Sequence, residues 1–210
     1  LAVMPWHVHL SRYGLRAKKS WGQCFLHDRN ILERLAQVAV PEGADLVVEI
    51  GAGLGTFTAA LLARTERVVA IERDPELATV LRQEFAKEPR LTLHEANALT
   101  YDFGQFGRPV WVAGNLPYNI SSPLLFALLE QRQHLRTATL MLQREVALRL
   151  VAEPASEDYG APSVMVRQFA DAELCFGVPS GAFVPRPRVD SAVVRLTMLA
   201  APRVEAPGAA

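Results

Sequence analysis

Cysteine is nearly missing from this chain. Cys24 and Cys175 are the two in 210 residues, too few for a disulfide framework, and a reducing compartment is the simplest context for them. An excess of one charge is missing too. Lys and Arg number 22 against 22 Asp and Glu, a formal net charge of zero. That is an argument against a domain that grips nucleic acid by bulk positive charge, though the distribution of charge can matter more than its sum. No apolar run reaches the roughly 20 residues of a membrane span, so no membrane association and a cytoplasmic location are expected. The opening stretch Leu1–Leu10 is apolar but carries His7 and His9 without a small-residue cleavage site. It reads as a loose N-terminal arm, not a signal peptide. There is no internal repeat. Apolar material is plentiful: hydrophobic residues make up 50% of the chain, enough for one large core without staples.

The patterning alternates short apolar runs with amphipathic ones. It predicts helix over Arg29–Ala39, strand over Leu46–Ile50, helix from Phe57 to Ala63, strand over Val68–Glu72, helix over Pro75–Ala86 and strand over Leu91–His94. Strand Val110–Gly114, helix Ser122–Glu130, strand Thr137–Leu142, and helices Arg144–Val151 and Pro162–Ala170 follow, and β-like runs Ala172–Phe176 and Ser191–Met198 close the series. Such alternation predicts an α/β fold, an open and mostly parallel sheet with helices on both faces. Ligands of such sheets bind beyond the carboxyl ends of the strands.

The residues at those ends carry the chemistry. The strand around Val110 runs into Asn115-Leu116-Pro117-Tyr118. Asn115 offers an amide oxygen to an amino group. Pro117 biases Leu116 toward extended backbone and frees nearby carbonyls to accept, and Tyr118 offers a ring face to a flat base. The first strand runs into Glu49-Ile50-Gly51-Ala52-Gly53-Leu54-Gly55-Thr56. Gly51 and Gly53 suit a tight turn with close approach of backbone to ligand at a helix start. Dinucleotide enzymes use such loops as well, so the loop alone is weak evidence. The second strand ends in Glu72, about 20 residues past the first glycine, where a carboxylate can take both ribose hydroxyls. Together these read as a site for an adenosine-containing cofactor. After the third strand comes Asn97, whose amide oxygen can accept from a ligand amino group. A neutral acceptor is worth about 1 kcal/mol against roughly 1.5–3 for a charged one, so weaker cofactor binding is expected than with Asp there. His94 and His134 read as surface histidines.

Four segments in order extend this reading into a family resemblance. They are Lys18-Lys19-Ser20-Trp21-Gly22-Gln23-Cys24-Phe25-Leu26, Asn115 through Leu124, Met141 through Ala147, and Phe183-Val184-Pro185-Arg186-Pro187-Arg188-Val189-Asp190-Ser191-Ala192-Val193-Val194. From about Tyr13 to Leu199 the chain resembles the ribosomal RNA adenine N6,N6-dimethyltransferases, specifically the bacterial enzymes that act on two adjacent adenosines near the 3′ end of 16S RNA. The resemblance implies a Rossmann-like, S-adenosylmethionine-dependent methyltransferase fold. It implies a cofactor site of Gln23, Cys24, Leu26, Gly51, Gly53, Glu72, Asn97 and Asn115, with Asn115, Leu116, Pro117, Tyr118 and Phe183 around the target base. Cys24 stands where the family has Asn and is expected to be an inert, partly buried thiol; Asn97 stands in a position that is Asp in many methyltransferases.

The expected partner is ribosomal RNA, within a small-subunit particle. Arg16, Lys18 and Lys19 before the cofactor loop, and Arg186 and Arg188 among the last prolines, are candidates for a phosphate-binding rim. No metal is required, and a monomer is expected. The resemblance divides the chain into an arm and entry motif (1–28), a catalytic domain (29–199) and an Ala/Pro-rich tail (200–210). It implies a further small helical domain that helps seat RNA and that this sequence does not contain, so cofactor binding with impaired RNA engagement is expected. Two other readings stand beside this one: a 23S adenine N6-methyltransferase of the macrolide-resistance type, and a non-catalytic relative that binds RNA or an assembling ribosome. A dehydrogenase is excluded because nothing past the glycine loop supplies hydride chemistry.

Overall fold

The structure is a computed structural model that describes residues 12–18 and 21–204; the expected N-terminal arm at 1–10, Lys19 and the end of the tail at 205–210 lie outside them. Strand β1 (Phe25–Leu26) leads into helix α1 (Arg29–Ala39), which begins where the Asp28 carboxylate accepts from the Ile31 N–H. Next come β2 (Leu46–Ile50), α2 (Thr56–Leu62), β3 (Arg67–Glu72), α3 (Pro75–Glu84) and β4 (Leu91–Glu95). Asp74 caps α3 and Pro75 occupies its first turn, where a missing N–H costs nothing. The remainder is β5 (Val110–Asn115), α4 (Ser121–Glu130), β6 (Leu135–Gln143), α5 (Arg144–Val151), α6 (Ala161–Phe169), β7 (Ala170–Val178), β8 (Phe183–Val184) and β9 (Ser191–Met198).

Seven strands form one sheet in the order β4-β3-β2-β5-β6-β9-β7. The first five run parallel, and β9 lies antiparallel between β6 and β7. The two faces divide the apolar residues by strand parity. Val48, Ile50, Val112, Leu140 and Val194 point toward Leu124 and Leu128 of α4, Leu150 of α5 and Val166 of α6. Val47, Ala113, Met141 and Val193 point toward Leu35 of α1 and Phe57 and Leu61 of α2. Burial on both faces is why these strands read as near-continuous apolar runs rather than alternating ones. The predicted open, mostly parallel sheet with helices on both faces is the one observed.

The differences lie in long-range pairing. The expected run Ala172–Phe176 is the middle of a longer edge strand, with a register irregularity between Leu174 and Phe176. The β1–β8 ribbon, pairing Phe25 with Val184 and Leu26 with Phe183, has no signature in local patterning. It fastens the entry segment to the Phe183 segment, so residues 21–28 pack as part of the domain. His94 is half-buried, its Nδ1 2.7 Å from the Tyr101 hydroxyl, a contact that local patterning does not announce.

Glu49 is buried in the sheet on the α1/α2 face. The Thr58 hydroxyl donates to its Oε2 at 2.6 Å, while Oε1 is buried without a partner among the described residues. Burial pushes its pKa up to about 8 from an ordinary 4.5, with the Glu72 charge adding to the rise and the Thr58 bond opposing it. The native state therefore holds a proton that the unfolded chain releases at lower pH. Its contribution to stability is whole below pH 4.5 and declines as pH rises toward 8, by at most about 1.4 kcal/mol per pH unit. Glu49→Gln, fixed neutral, is expected to lose this slope. Denaturant melts between about pH 5 and 8 should show the wild type weakening relative to the variant, and parallel curves would mean the carboxyl keeps one charge state throughout.

Candidate active site

At the carboxyl ends of β2, β3 and β5 lies a cavity of about 300 Å³, at the small end of the range for ligand sites. Its floor is the turn after β2. Gly51, Gly53 and Gly55 all have positive φ, +73°, +59° and +81°, a region that glycine enters without strain. At Gly55 a Cβ would stand 2.4 Å from Cε2 of Phe85, so packing as well as φ demands glycine there.

Glu72 forms one wall and is buried to 7% exposure. Its Oε2 accepts the Gly53 N–H and its Oε1 the Asp74 N–H, both at 2.8 Å. Burial raises its pKa, and the hydrogen bonds from the Asp74 and Gly53 backbone oppose the rise. Each oxygen holds one backbone donor, and a carboxylate oxygen has room for a second. The side chain is thus fixed in orientation and still able to accept from a pair of adjacent hydroxyls.

Asn97 lies on the adjoining wall, where its Oδ1 accepts from the Leu99 N–H at 3.2 Å and caps the short 3₁₀ turn Ala98–Thr100. On the opposite side, Asn115 ends β5 half-buried, and its amide makes no hydrogen bond among the described residues. The Leu116 N–H donates to the Met141 carbonyl at 3.3 Å, and the Pro117 carbonyl is taken by the Ile120 N–H at 3.1 Å and the Ser121 hydroxyl at 3.3 Å. The Leu116 carbonyl accepts nothing among the described residues. Two open acceptors, the Asn115 amide oxygen and the Leu116 carbonyl, therefore stand at the strand end beside the glycine turn. The half-buried Tyr118 ring follows, with burial raising its pKa.

All the residues expected to hold cofactor or base line this one cavity: Gln23, Cys24, Leu26, Gly51, Gly53 and Glu72, then Asn97, Asn115, Leu116, Pro117, Tyr118 and Phe183. Two of them differ in detail from the expectation. Phe183 is 2% exposed, held in the β1–β8 ribbon, so it presents the cavity with a wall and not a free ring face. Gln23 has both ends of its amide engaged, Oε1 by the Lys18 N–H and Nε2 by Asp74 Oδ2, each at 2.8 Å. Cys24 is half-buried, and desolvation raises its thiol pKa, which keeps it a neutral thiol near pH 7.

The expected cationic rim is only partly free. The Lys18 ammonium sits 2.9 Å from both carboxylate oxygens of Asp74 and also pairs with Glu76, so within the protein its charge fastens the entry segment. Arg16 and Arg188 are exposed, and Arg186 is exposed with its Nε donating to the Ser180 hydroxyl at 3.0 Å. Lys19 lies outside the described residues. Among those described, no group of three or more His, Cys, Asp or Glu is arranged to hold a metal ion, and no helix is long and apolar enough to cross a membrane.

Sequence reasoning missed Asp74. Its carboxylate is nearly inaccessible, accepts from Lys18, Gln23 and the Glu76 N–H, and sits on the residue whose own N–H orients Glu72. Burial opposes its ionisation, but these donors together hold its pKa below the ordinary value. The signal was present in Glu72-Arg73-Asp74-Pro75, an Asp immediately before a proline at a helix start, and it was absorbed into the helix prediction. Replacing Asp74 by Ala removes charge-assisted hydrogen bonds worth roughly 1.5–3 kcal/mol each from the brace behind Glu72. Calorimetric titration of S-adenosylmethionine should show affinity reduced roughly tenfold or more for Asp74→Ala and abolished for Glu72→Ala. Wild-type affinity in Asp74→Ala would disconnect this brace from the pocket.

Comparison with known proteins agrees with this geometry. The profile of the family described as ribosomal RNA adenine dimethylase matches residues 14–206. The chain is 49% identical over 197 residues to the ribosomal RNA small subunit methyltransferase A of Anaeromyxobacter dehalogenans, covering 88% of this chain and 69% of that protein. It is 49% identical over 189 residues to the protein of the same name from Bordetella pertussis, covering 90% and 71%. Among solved structures, a dimethyladenosine transferase from Plasmodium falciparum superposes with a TM-score of 0.74 at 30% identity, over 83% of this chain and 63% of that one. The 23S rRNA methyltransferase ErmE gives 0.74 at 32%, over 87% and 72%. The chain thus spans about two thirds of the length of these relatives. It belongs to the ribosomal RNA adenine dimethylase family.

Proposed function

We propose that this chain transfers methyl groups from S-adenosylmethionine to the exocyclic N6 of adenosine in small-subunit ribosomal RNA, and that its targets are two adjacent adenosines near the 3′ end of 16S RNA, each dimethylated. The observation that carries the reading is the pair of unengaged acceptors, Asn115 Oδ1 and the Leu116 carbonyl, standing beside the glycine turn and the fixed carboxylate of Glu72.

The residues fit the cofactor. Glu72 keeps acceptor capacity for a ribose diol, the turn keeps its backbone clear of side chains, and Asn97 keeps its NH2 group and a second lone pair for the adenine edge. Bound there, S-adenosylmethionine supplies a methyl group activated by its sulfonium. The protein's part is to make a poor nucleophile usable. An exocyclic amino nitrogen delocalises its lone pair into the purine ring. Acceptors that take both amino hydrogens favour a pyramidal nitrogen and stabilise the positive charge that develops on it, while Tyr118 fixes the base by stacking. Positioning and preorganised acceptors of this kind lower the barrier without a covalent intermediate. The target base has to leave its stack to reach the cavity, which favours a loop or a strand junction. Cys24 and Leu26 close the cofactor's side of the cavity, and Phe183 serves as the wall behind the base. Arg16, Arg186 and Arg188 contact RNA phosphates. The same reading holds the enzyme to be a monomer that works in the cytoplasm, where small-subunit particles assemble.

Identity favours the small-subunit reading over the 23S one: relatives named for the small subunit are 44–49% identical, against 32% for ErmE. Asn115→Ala should lower methyl transfer to unmethylated small-subunit particles by roughly a hundredfold or more, while cofactor affinity stays within about tenfold. Mass spectrometry of the wild-type product should find N6,N6-dimethyladenosine at neighbouring positions. Transfer to 23S RNA with none to small-subunit particles would overturn the substrate assignment.

A further inference from the structure

Ser191 opens β9, fully buried at 0% exposure, and pairs with Gln143 of β6 on one side and Val178 of β7 on the other. A hydroxyl in such a place needs a partner, and it has one outside the sheet: its Oγ lies 2.7 Å from the Tyr118 hydroxyl, 73 residues away in the chain. Tyr118 is otherwise loosely held. It sits in the short 3₁₀ turn Tyr118–Ile120, whose preceding residue makes no side-chain cap, and it faces the cavity. A phenol ring on a turn swings about two side-chain torsions, and a single hydrogen bond at its far end removes that freedom. The strand that supplies the bond is rigid, since β9 is paired along both edges.

The segment before Ser191 is tied down in turn. Asp190 Oδ1 accepts the Ser180 N–H at 2.8 Å, the Asp190 carbonyl accepts the Arg144 N–H at 3.0 Å, and Arg186 Nε donates to the Ser180 hydroxyl at 3.0 Å. The turn bearing the exposed arginine is therefore connected through Asp190 to the residue that holds the phenol.

We infer that Ser191 is a positioning residue for methyl transfer: its buried hydroxyl fixes the Tyr118 ring across from the Asn115 and Leu116 acceptors, and so couples the Arg186 segment to the geometry of the base pocket. This inference rests on the proposed function for its catalytic consequence, while the hydrogen bond itself is independent of it. Alanine at the position would leave the phenol without its anchor. Burial raises the Tyr118 pKa and the bond to Ser191 lowers it, so loss of the bond shifts the phenol further upward.

The test uses Ser191→Ala, Tyr118→Phe and the double variant in the full chain. Methyl transfer to unmethylated small-subunit particles is followed at saturating S-adenosylmethionine, beside NMR of tyrosine labelled at Cζ, with the Tyr118 signal assigned by its absence in Tyr118→Phe. Ser191→Ala is expected to lower kcat about fivefold, the worth of one neutral hydrogen bond, with the KM for S-adenosylmethionine unchanged. The double variant is expected to be no slower than the slower single one, and the Tyr118 titration to move upward in Ser191→Ala. Multiplying effects in the double variant, or a Tyr118 titration that does not move, would overturn the inference. A merely structural serine would lower stability without moving that titration. A wild type that methylates nothing would sink the proposed function, while the NMR comparison would still decide whether Ser191 holds Tyr118.

Discussion

A buried carboxylate must be surrounded by donors or lose its charge, and the Glu72 carboxylate organises this molecule through that demand. Its two donors come from different directions. Gly53 belongs to the turn after β2, and Asp74 to the start of α3. Satisfying one side chain therefore fixes the distance between the glycine turn and the second crossover. Asp74 passes the constraint on, since its own carboxylate draws in Lys18 and Gln23. The entry segment is thereby closed against the same corner, with Trp21 under the Lys18 ammonium and the Arg73 guanidinium. One desolvated charge thus explains the position of the loop, the helix start and the entry segment together.

What was legible in the sequence follows from how local each feature is. The glycine turn, Glu72 and Asn115-Leu116-Pro117-Tyr118 are strand-end features, and a strand end is marked by where an apolar run stops. Parallel register then brings these ends together without further information: Ile50 pairs with Ile71 and with Gly114. The β1–β8 ribbon, the placement of β9 between β6 and β7, and the Tyr118–Ser191 and Lys18–Asp74 contacts join segments far apart in the chain. Such contacts leave no periodic trace, and single residues such as Ser191 look like ordinary strand polar residues. Phe183 shows the limit from the other side. The resemblance places it around the target base, and its strand pairing with Leu26 and its burial, which no local pattern announces, set it in the cavity wall.

The neutral net charge acquires a meaning once the ion pairs are seen. Cations near the site are divided between two uses. Lys18 spends its charge inside the protein on Asp74 and Glu76, and Arg82, Arg90 and Arg149 meet carboxylates on the surface, where such pairs add little to stability. Arg16, Arg186 and Arg188 have no carboxylate partner among the described residues. Under the proposed function few arginines are left to meet RNA phosphates, where a bulk electrostatic grip on arbitrary RNA would call for many more.

The two substitutions at cofactor-facing positions are consistent with a working site because of where the binding determinants sit. Cys24 replaces a polar group with a neutral, half-buried thiol, and Asn97 replaces a charged acceptor with a neutral one already shared with the Leu99 N–H. Both residues line a cavity whose lining also includes the apolar Phe25, Leu26, Ile50 and Leu54. The Glu72 carboxylate and the glycine turn are held by backbone donors and backbone geometry, which no substitution at positions 24 or 97 alters. Asn115 and the buried Leu116 both line the cavity, and polar groups in such places are ordinarily drawn into hydrogen bonds. Two acceptors left without donors there cost stability, and under the proposed function the two amino hydrogens of the target base would offset that cost.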